Sequence, residues 1–477
     1  MSFKLSNILK LLKVFKENSN KIIITDTINK KKITYEQFLN SSKDTSEYLK
    51  NKKKIKPGDK ILISLENSYE FLVLIFACLL GGYIAVPIDP NLPKDRFSNL
   101  KKIINPKMII RNFSLKKINK SQKKNKLNFS NRPFLILFTS GTSGDPKGIL
   151  LENYKYLSSA FSYSKMCEYD NKTNIYHCLP MFYNAGMINI FFSGIVSGSN
   201  IVIGPRINPI NMFNLIDNLK LNQINTLHLT PEILNSLIKI YENRNIDKTE
   251  LQNIQIISTA NYLHEETREN FEKKFGIRVL NCYGITEAGG PLTLQKWEDT
   301  YFENSVGHHS NEIKFFVLKR NNIKKILVRS PFMMRGYILQ NGKFEKYKLI
   351  NNYFDTGDVG EYKNRQLFIT GRRQDIIKKG GEILSLNFLD NICKKIKNVE
   401  DCVHLSLEDV EKGNKIILFV KFQKIINIDK ELDKLNVILR KELRNIELPD
   451  RIYPVPLIPR LFNGKINKTN LRDIYLS

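Results

Sequence analysis

Phe134-Leu135-Ile136-Leu137-Phe138-Thr139-Ser140-Gly141-Thr142-Ser143-Gly144-Asp145-Pro146-Lys147-Gly148 joins two unlike textures with no spacer between them. The first five residues, introduced by Arg132-Pro133, form an apolar run of the length of a buried strand. The next ten supply hydroxyls, three glycines and one lysine. Glycines let backbone N–H groups approach an anion closely, and hydroxyls and an ammonium add charge-assisted bonds to phosphate oxygens. A flexible linker has a similar composition, but the buried strand in front and the placed Pro-Lys-Gly behind favour a phosphate loop. It is not a Walker loop, because Lys147 is followed by Gly148 rather than by Ser or Thr.

Outward from this loop, strand and helix signals alternate. On the N-terminal side, Ile61 to Leu65, Tyr83 to Pro87 and Lys107 to Ile110 read as strands, with helices over Glu66 to Leu80 and Pro93 to Ile103. On the C-terminal side, Ile175 to Leu179, Ile201 to Ile203, Thr226 to Leu229, Ile254 to Ser258 and Arg278 to Cys282 read as buried strands. Helices at Pro209 to Leu219, Pro231 to Tyr241 and His264 to Phe275 separate them, the last stopped by Gly276. Such alternation predicts an α/β fold of parallel sheets covered by helices on both faces. From about Glu312 the texture changes to short alternating strands, Ile313 to Leu318, Lys325 to Val328 and Gln366 to Ile369. After Gly371 a mixed tail is long enough for a small α+β domain of its own. The expected organisation is a large domain over residues 1–371, with a β-rich part at about 312–371, and a small domain over 372–477.

A chain of 477 residues suits roughly three folding units. With 42% hydrophobic and 26% charged residues it is globular material rather than a disordered or fibrous chain. The six cysteines form no C-x-x-C pair, which argues against a zinc cluster or disulfide scaffold and fits a reducing compartment, the cytoplasm. The formal charge of +28 raises the question of a nucleic-acid or anionic-membrane partner. The densest basic runs, Lys50 to Lys56 and Lys116 to Lys126, contain no aromatics for base stacking, so a solvated surface that attracts nucleotide anions is expected instead. Phe71 to Ile88 carries no charge, but Gly81-Gly82 and Pro87 divide it into a buried helix and a strand rather than a membrane span. The N-terminus is apolar at helical spacing (Phe3, Leu5, Ile8, Leu9, Leu12, Phe15) and punctuated by lysines, as in a packed amphipathic helix and not a signal peptide.

The loop Thr139 to Gly148 resembles the T-S-G-[ST]-[ST]-G-x-P-K-G hallmark of the adenylate-forming superfamily, which includes acyl-CoA synthetases, nonribosomal-peptide adenylation domains and firefly-type luciferases. The resemblance extends over nearly the whole chain. Ile33-Thr34-Tyr35, Pro57-Gly58-Asp59 and Gly82 to Pro90 are similar to the family's opening segments. Tyr283-Gly284-Ile285-Thr286-Glu287 resembles its Y-G-x-T-E motif, placed where the carboxyl end of a parallel strand would bind ligand. Asp355-Thr356-Gly357-Asp358 resembles its T-G-D motif, and Gly371-Arg372-Arg373-Gln374-Asp375 the segment that opens its small domain. Asn463-Gly464-Lys465-Ile466 resembles its C-terminal G-K motif.

The resemblance implies an AMP-forming carboxylic-acid ligase using ATP and Mg²⁺. It implies that Thr139, Ser140, Gly141, Thr142, Ser143, Gly144 and Lys147 grip the phosphates, and that Thr139 and Glu287 hold Mg²⁺. The Ala260-Asn261 turn and the backbone near Tyr283 would flank the adenine, Gly284 and Thr286 would also bind ATP, Asp358 and Arg372 would hold the ribose, and Lys465 would enter for adenylation. Gln374 falls on the hinge, Gly380 and Gly381 on the thiol tunnel, and Tyr183, Asn184 and Gly284 on the acyl pocket. Two departures from the family pattern bear on the acid substrate, and a third bears on recognition of the thiol acceptor. Tyr183 stands where acyl-CoA synthetases usually carry histidine, and Asn184 where amino-acid-activating relatives carry the aspartate that pairs with an ammonium, so an α-amino acid is disfavoured. Leu386 to Asp390 departs from the usual P-x-E-[IV]-E. The expected acceptor is coenzyme A, the alternative being the phosphopantetheine arm of a separate carrier protein. A reading of another class is a non-catalytic relative holding nucleic acid or another anionic ligand on its positive surface.

Overall fold

The computed structural model describes residues 2–118, 131–140, 146–205, 207, 212, 215–242, 244, 248–320, 323–379, 382–409, 413–423, 427–460 and 466–476. Within it the apolar run ahead of the loop is the strand Pro133–Ser140, in the middle of a seven-stranded sheet. Ile84–Pro87, Lys60–Ile63 and Met108–Ile110 continue that sheet in parallel on one side. On the other side the chain turns straight back as Pro146–Glu152, which pairs antiparallel with Pro133–Ser140. Gly336–Ile338 and Phe344–Glu345 then add two further antiparallel strands to that edge. Parallel pairing therefore covers only part of the sheet. The antiparallel edge comes from a return strand and a far-downstream segment that local periodicity does not reveal.

A second sheet of nine strands carries the other half of the alternation. Asn200–Ile203, Asn174–His177, Thr226–Leu229, Gln255–Ser258 and Val279–Ile285 run parallel in that spatial order. Antiparallel pairs close both edges, Ile22–Asp26 with Lys31–Thr34 at one and Gly290–Leu294 with His308–His309 at the other. Local chemistry sets the intervening helices. Thr34 and Gln37 form a reciprocal capping box before Tyr35–Asn51, a device contributing about 1 kcal/mol. Pro231 opens Pro231–Ile240, and Gly276 ends Glu265–Phe275 in the left-handed conformation.

The charge-free stretch after Phe71 folds as expected. The helix Tyr69–Gly81 is buried on every side, and the strand Ile84–Pro87 follows it. Burying each large side chain there contributes roughly 1.5–3 kcal/mol. Phe15 of the N-terminal helix Ser2–Glu17 packs against Tyr35, Phe38 and Phe76 in the same core. Among the described residues no helix is long and apolar enough to cross a membrane.

Contacts divide the chain into two compact units, residues 1–314 with 328–354, and residues 315–327 with 355–477. The second holds a sheet of Lys314–Arg320, Ile323–Arg329, Phe354–Lys363 and Gln366–Arg372. It also holds a three-stranded sheet of Val399–Asp409, Gly413–Phe422 and Arg451–Pro454, on which the helices Leu386–Lys394 and Ile428–Glu442 bury Leu389, Cys393, Leu435 and Leu439.

Candidate active site

The phosphate-loop motif is a β-hairpin whose arms are both in the sheet. Thr139 lies opposite Lys147 and Ser140 opposite Pro146, so the motif's lysine is held at a fixed register on the return strand. Gly141, Thr142, Ser143 and Gly144 lie outside the described residues. Gly148 has a packing reason of its own. A Cβ there would come within 3.0 Å of Ile136 and 3.3 Å of Ile338, so any larger residue would press on the side chains of both neighbouring strands.

Glu287 stands in the 3₁₀ turn Thr286–Ala288, directly after the parallel strand Val279–Ile285. Three hydrogen bonds fix the segment between this turn and the phosphate hairpin. The Met334 N–H donates to the Glu287 carbonyl at 2.8 Å, Ser330 Oγ donates to the Ala288 carbonyl at 2.9 Å, and the Arg335 N–H donates to the Leu150 carbonyl at 2.8 Å. Residues 330–338 thus strap the carboxylate's turn to the strand that carries Lys147. Each such bond contributes about 1 kcal/mol net, and together they fix spacing more than they add stability. Gly284 is dictated by close approach, since a Cβ would meet the Gly290 carbonyl oxygen at 2.2 Å.

Tyr337, on the strap, is a residue that sequence reasoning missed. Lys147 Nζ sits 5.6 Å from the centre of its ring, within cation–π range. Burial first, then the negative charges of Glu287 and Glu345, hold its hydroxyl well above the ordinary tyrosine range. The strap thus brings Lys147 and Glu287 to one aromatic side chain. Nothing in the local string Arg335-Gly336-Tyr337 announces this, because it arises from the pairing of Tyr337 with Ile149, far upstream.

The remaining first-unit candidates lie at neighbouring strand ends. Ala260 takes a left-handed backbone (φ 77°) two residues beyond the end of Gln255–Ser258, and Asn261 Nδ2 donates to Glu232 at 2.7 Å. A non-glycine residue held in that region costs on the order of 1 kcal/mol and marks a turn the surroundings enforce. Tyr183 and Asn184 precede Ala185–Phe192, a π-helix, which is a rare element often found at functional sites. The Asn184 carbonyl oxygen accepts from the buried Tyr156 hydroxyl at 2.8 Å, fixing a neutral amide where a charged partner would otherwise stand.

In the second unit, Asp358 and Arg372 face each other across the antiparallel pair Phe354–Lys363 and Gln366–Arg372, with Arg372 Nε 2.8 Å from Asp358 Oδ1. The Asp358 side chain is 3% exposed and that of Arg372 is 39% exposed. The aspartate is therefore buried within the fold and its arginine partner is only partly covered. The turn before them is rigid. The Gly357 N–H donates to Asp355, the Asp358 N–H to Thr356 Oγ1, and Thr356 Oγ1 to the Ile326 carbonyl. Gln374 is exposed in the 3₁₀ turn Arg373–Asp375. Gly380, Gly381 and Lys465 lie outside the described residues. Arg460 and Ile466 form an antiparallel bridge, backed by a 2.7 Å bond from the Asn467 N–H to the Pro459 carbonyl.

The described residues contain no cluster of three or more histidine, cysteine or acidic side chains able to enclose a metal. A single carboxylate at Glu287 nonetheless fits a magnesium ion that arrives with a nucleotide, because Mg²⁺ takes hard oxygen donors and fills most positions from phosphates and water.

The sequence profile of the AMP-binding enzyme family matches residues 13–338. Zwittermicin A synthase ZmaJ from Bacillus cereus is 23% identical, over 92% of this chain and 90% of its own length. A 2-succinylbenzoate–CoA ligase from Staphylococcus epidermidis is also 23% identical, over 96% of this chain and 95% of its own. Among solved structures, ATP-bound MatB from Rhodopseudomonas palustris superposes with a TM-score of 0.86 at 19% identity, over 100% of this chain and 99% of that one. The o-succinylbenzoate CoA synthetase MenE from Bacillus subtilis, in complex with its acyl-adenylate intermediate, does so at 0.83 and 19% identity, over 97% and 98%. The profile spans well over half of the sequence, and this chain therefore belongs to the AMP-binding enzyme family.

Proposed function

We propose that the enzyme is an AMP-forming carboxylic-acid ligase that activates a small acid with ATP and passes the acyl group to the thiol of coenzyme A. The observation that carries this reading is the strap, which ties the Glu287 turn to the Lys147 strand and so presents a carboxylate and an ammonium to a polyphosphate at fixed spacing.

A carboxylate is a poor electrophile. Its oxygen attacks the α-phosphorus of ATP, the bond to the β-phosphate oxygen breaks, and pyrophosphate leaves with that electron pair, giving an acyl-adenylate. Both reactants are anions, so the work of the protein is to cancel their repulsion and hold them in line. Lys147 and the phosphate hairpin would hold the leaving pyrophosphate, Asp358 would accept hydrogen bonds from the ribose hydroxyls beside Arg372, and the incoming Lys465 would neutralise charge on the α-phosphate. A magnesium ion on Glu287 and Thr139 would supply Lewis-acid charge neutralisation when bound. No side-chain nucleophile is required. In the second step the thiolate sulfur attacks the acyl carbon and AMP leaves.

In this proposal residues 372–477 move as a body about Gln374, withdrawing Lys465 and opening the path for the thiol past Gly380 and Gly381. The six cysteines, all buried and free, suit the cytoplasm. Pyrophosphate release trapped with hydroxylamine across a panel of carboxylic acids tests the first step, and repeating it with coenzyme A and with a holo carrier protein tests the acceptor. Coenzyme A should give a thioester and free AMP. Activity with the carrier alone would reassign the acceptor, and no acid above background would refute the ligase.

A further inference from the structure

His177 closes the strand Asn174–His177, and His228 is the penultimate residue of its parallel neighbour Thr226–Leu229. The register pairs Ile175 with Thr226 and Tyr176 with Leu227, which sets the two histidines side by side at the carboxyl ends of the strands. Both are 0% exposed. His228 Nε2 lies 2.6 Å from the Tyr169 hydroxyl, while its Nδ1 meets no hydrogen-bond partner among the described residues. Neither ring nitrogen of His177 makes a hydrogen bond of good geometry, and the weaker pull of the Gly186 and Leu179 backbone only partly offsets burial of the ring. Burial lowers each ring to about 3, assisted at His228 by His177, and no lysine, arginine or carboxylate contributes. Both rings are therefore neutral at physiological pH.

The pair adjoins a polar patch. The Tyr163 ring lies 6.1 Å from that of His228, and its hydroxyl is 3.4 Å from Cys282 Sγ. Asn189 Nδ2 reaches Thr259 Oγ1 at 3.4 Å. Each of these residues is joined to a segment already assigned to the site. Cys282 precedes Tyr283, Thr259 precedes Ala260-Asn261, and Asn189 and Gly186 belong to the π-helix that follows Tyr183-Asn184. Gly186 packs on His177, where a Cβ would come within 3.2 Å of the imidazole. Tyr163, Cys282, Asn189 and Thr259 are paired with one another, which leaves Nδ1 of His228 and the ring nitrogens of His177 as the groups that an apolar neighbour would strand.

We propose that His177 and His228 recognise a hydrogen-bonding substituent on the acyl group, so that the enzyme activates acids bearing a second, uncharged polar group (a hydroxyl, keto or amide oxygen) in preference to plain alkyl or aryl acids. This rests on the acid-activating reading above. The neutral pair offers an N–H to an oxygen acceptor and a bare nitrogen to a hydroxyl, but no fixed positive charge for a second carboxylate.

The test measures hydroxylamine-trapped adenylation by the full-length protein with acids matched in length, ending in a methyl, a hydroxyl, a ketone or a second carboxylate. The wild type should favour the hydroxyl or keto acid over its methyl counterpart by roughly 100-fold in kcat/KM, the scale of leaving one buried hydrogen-bonding group without its partner. His228→Phe and His177→Leu should each collapse that ratio to within about fivefold, whereas His228→Gln should keep most of it. A ratio is unaffected by loss of folded enzyme. Equal or better use of methyl-ended acids by the wild type would overturn the proposal, as would a ratio that survives both apolar substitutions or a dominant preference for the dicarboxylic acid. Hydroxamate from none of the acids would instead refute the ligase reading on which the proposal stands.

Discussion

Glu287 follows, and His228 lies within, two strands of one sheet that are separated by a single neighbour, and they illustrate two ways of building a site. Glu287 is half-buried in a turn that follows its strand, inside a string whose every residue has a local reason. His228 is wholly buried within its strand, and its flanks, Leu227 and Leu229, are ordinary core. The residues that the resemblance assigns to ATP fall largely in contiguous strings, Thr139 to Gly148 and Tyr283 to Glu287, because a phosphate is met by backbone and side chain together. The chemistry that selects one acid is assembled from single residues of separate strands. The first kind can be read along the chain, and the second only across it.

The sharpest break of this comparison lies in the generic half. Lys465→Ala should abolish acyl-adenylate formation, by about 1,000-fold if it acts like other fixed charge-stabilising donors, yet spare thioester formation from a preformed acyl-adenylate. Full ATP-dependent activity in that variant would remove Lys465 from the site. Asp358→Ala should next raise the KM for ATP by about 30-fold, the scale of a lost charge-assisted hydrogen bond, with the ratio between acids unchanged. A changed acid ratio would show that the two halves of the site are not separable.

The buried half makes its own prediction, in stability. Both histidines are held near pKa 3 in the fold and return to about 6.5 when it opens, so the unfolded chain binds the extra protons. Stability is therefore complete above pH 6.5 and falls as pH drops from 6.5 towards 3. Between pH 7.5 and pH 5 each histidine should cost about 2 kcal/mol, readable as a falling urea midpoint. His228→Gln should flatten that slope, and an unchanged slope would mean the rings are protonated or hydrated in the fold. The smallest effect is expected at Tyr337, where replacement by Leu removes an exposed-side cation–π contact with Lys147. That should raise the KM for ATP two- to fivefold, about 0.5–1 kcal/mol, and a null result would make the contact incidental.

Much of the fold is legible because buried parallel strands are short apolar runs between amphipathic helices. The runs at Ile61, Ile175, Thr226 and Ile254 all lead into sheet. What stays hidden is the pairing that needs distant partners. Pro146-Lys147-Gly148 reads as loop chemistry, yet it begins a strand whose outer neighbour is supplied by Gly336–Ile338. Likewise Ile-Tyr-His and Leu-His-Leu each read as core strand with one stray histidine, and only the register between them makes a pair. Tyr183 and Asn184 are visible as departures from a pattern, but the π-helix behind them is not, because its sequence is equally good for an ordinary helix.

The strap at residues 330–338 also sets an order of assembly. The first unit closes only when residues 328–354 return to it, after the chain has left for 315–327. On a ribosome, the hairpin bearing Lys147 and the turn bearing Glu287 emerge early and must wait, with the outer edge of Pro146–Glu152 uncovered, until Gly336–Ile338 arrives. Non-local closure of this kind is slow, and an uncovered strand edge invites pairing with other chains. A nascent chain stalled short of residue 338 should therefore be a client for chaperones rather than a nucleotide binder. The ability to bind ATP would appear late and abruptly during synthesis, keeping a half-made ligase from holding nucleotide it cannot use.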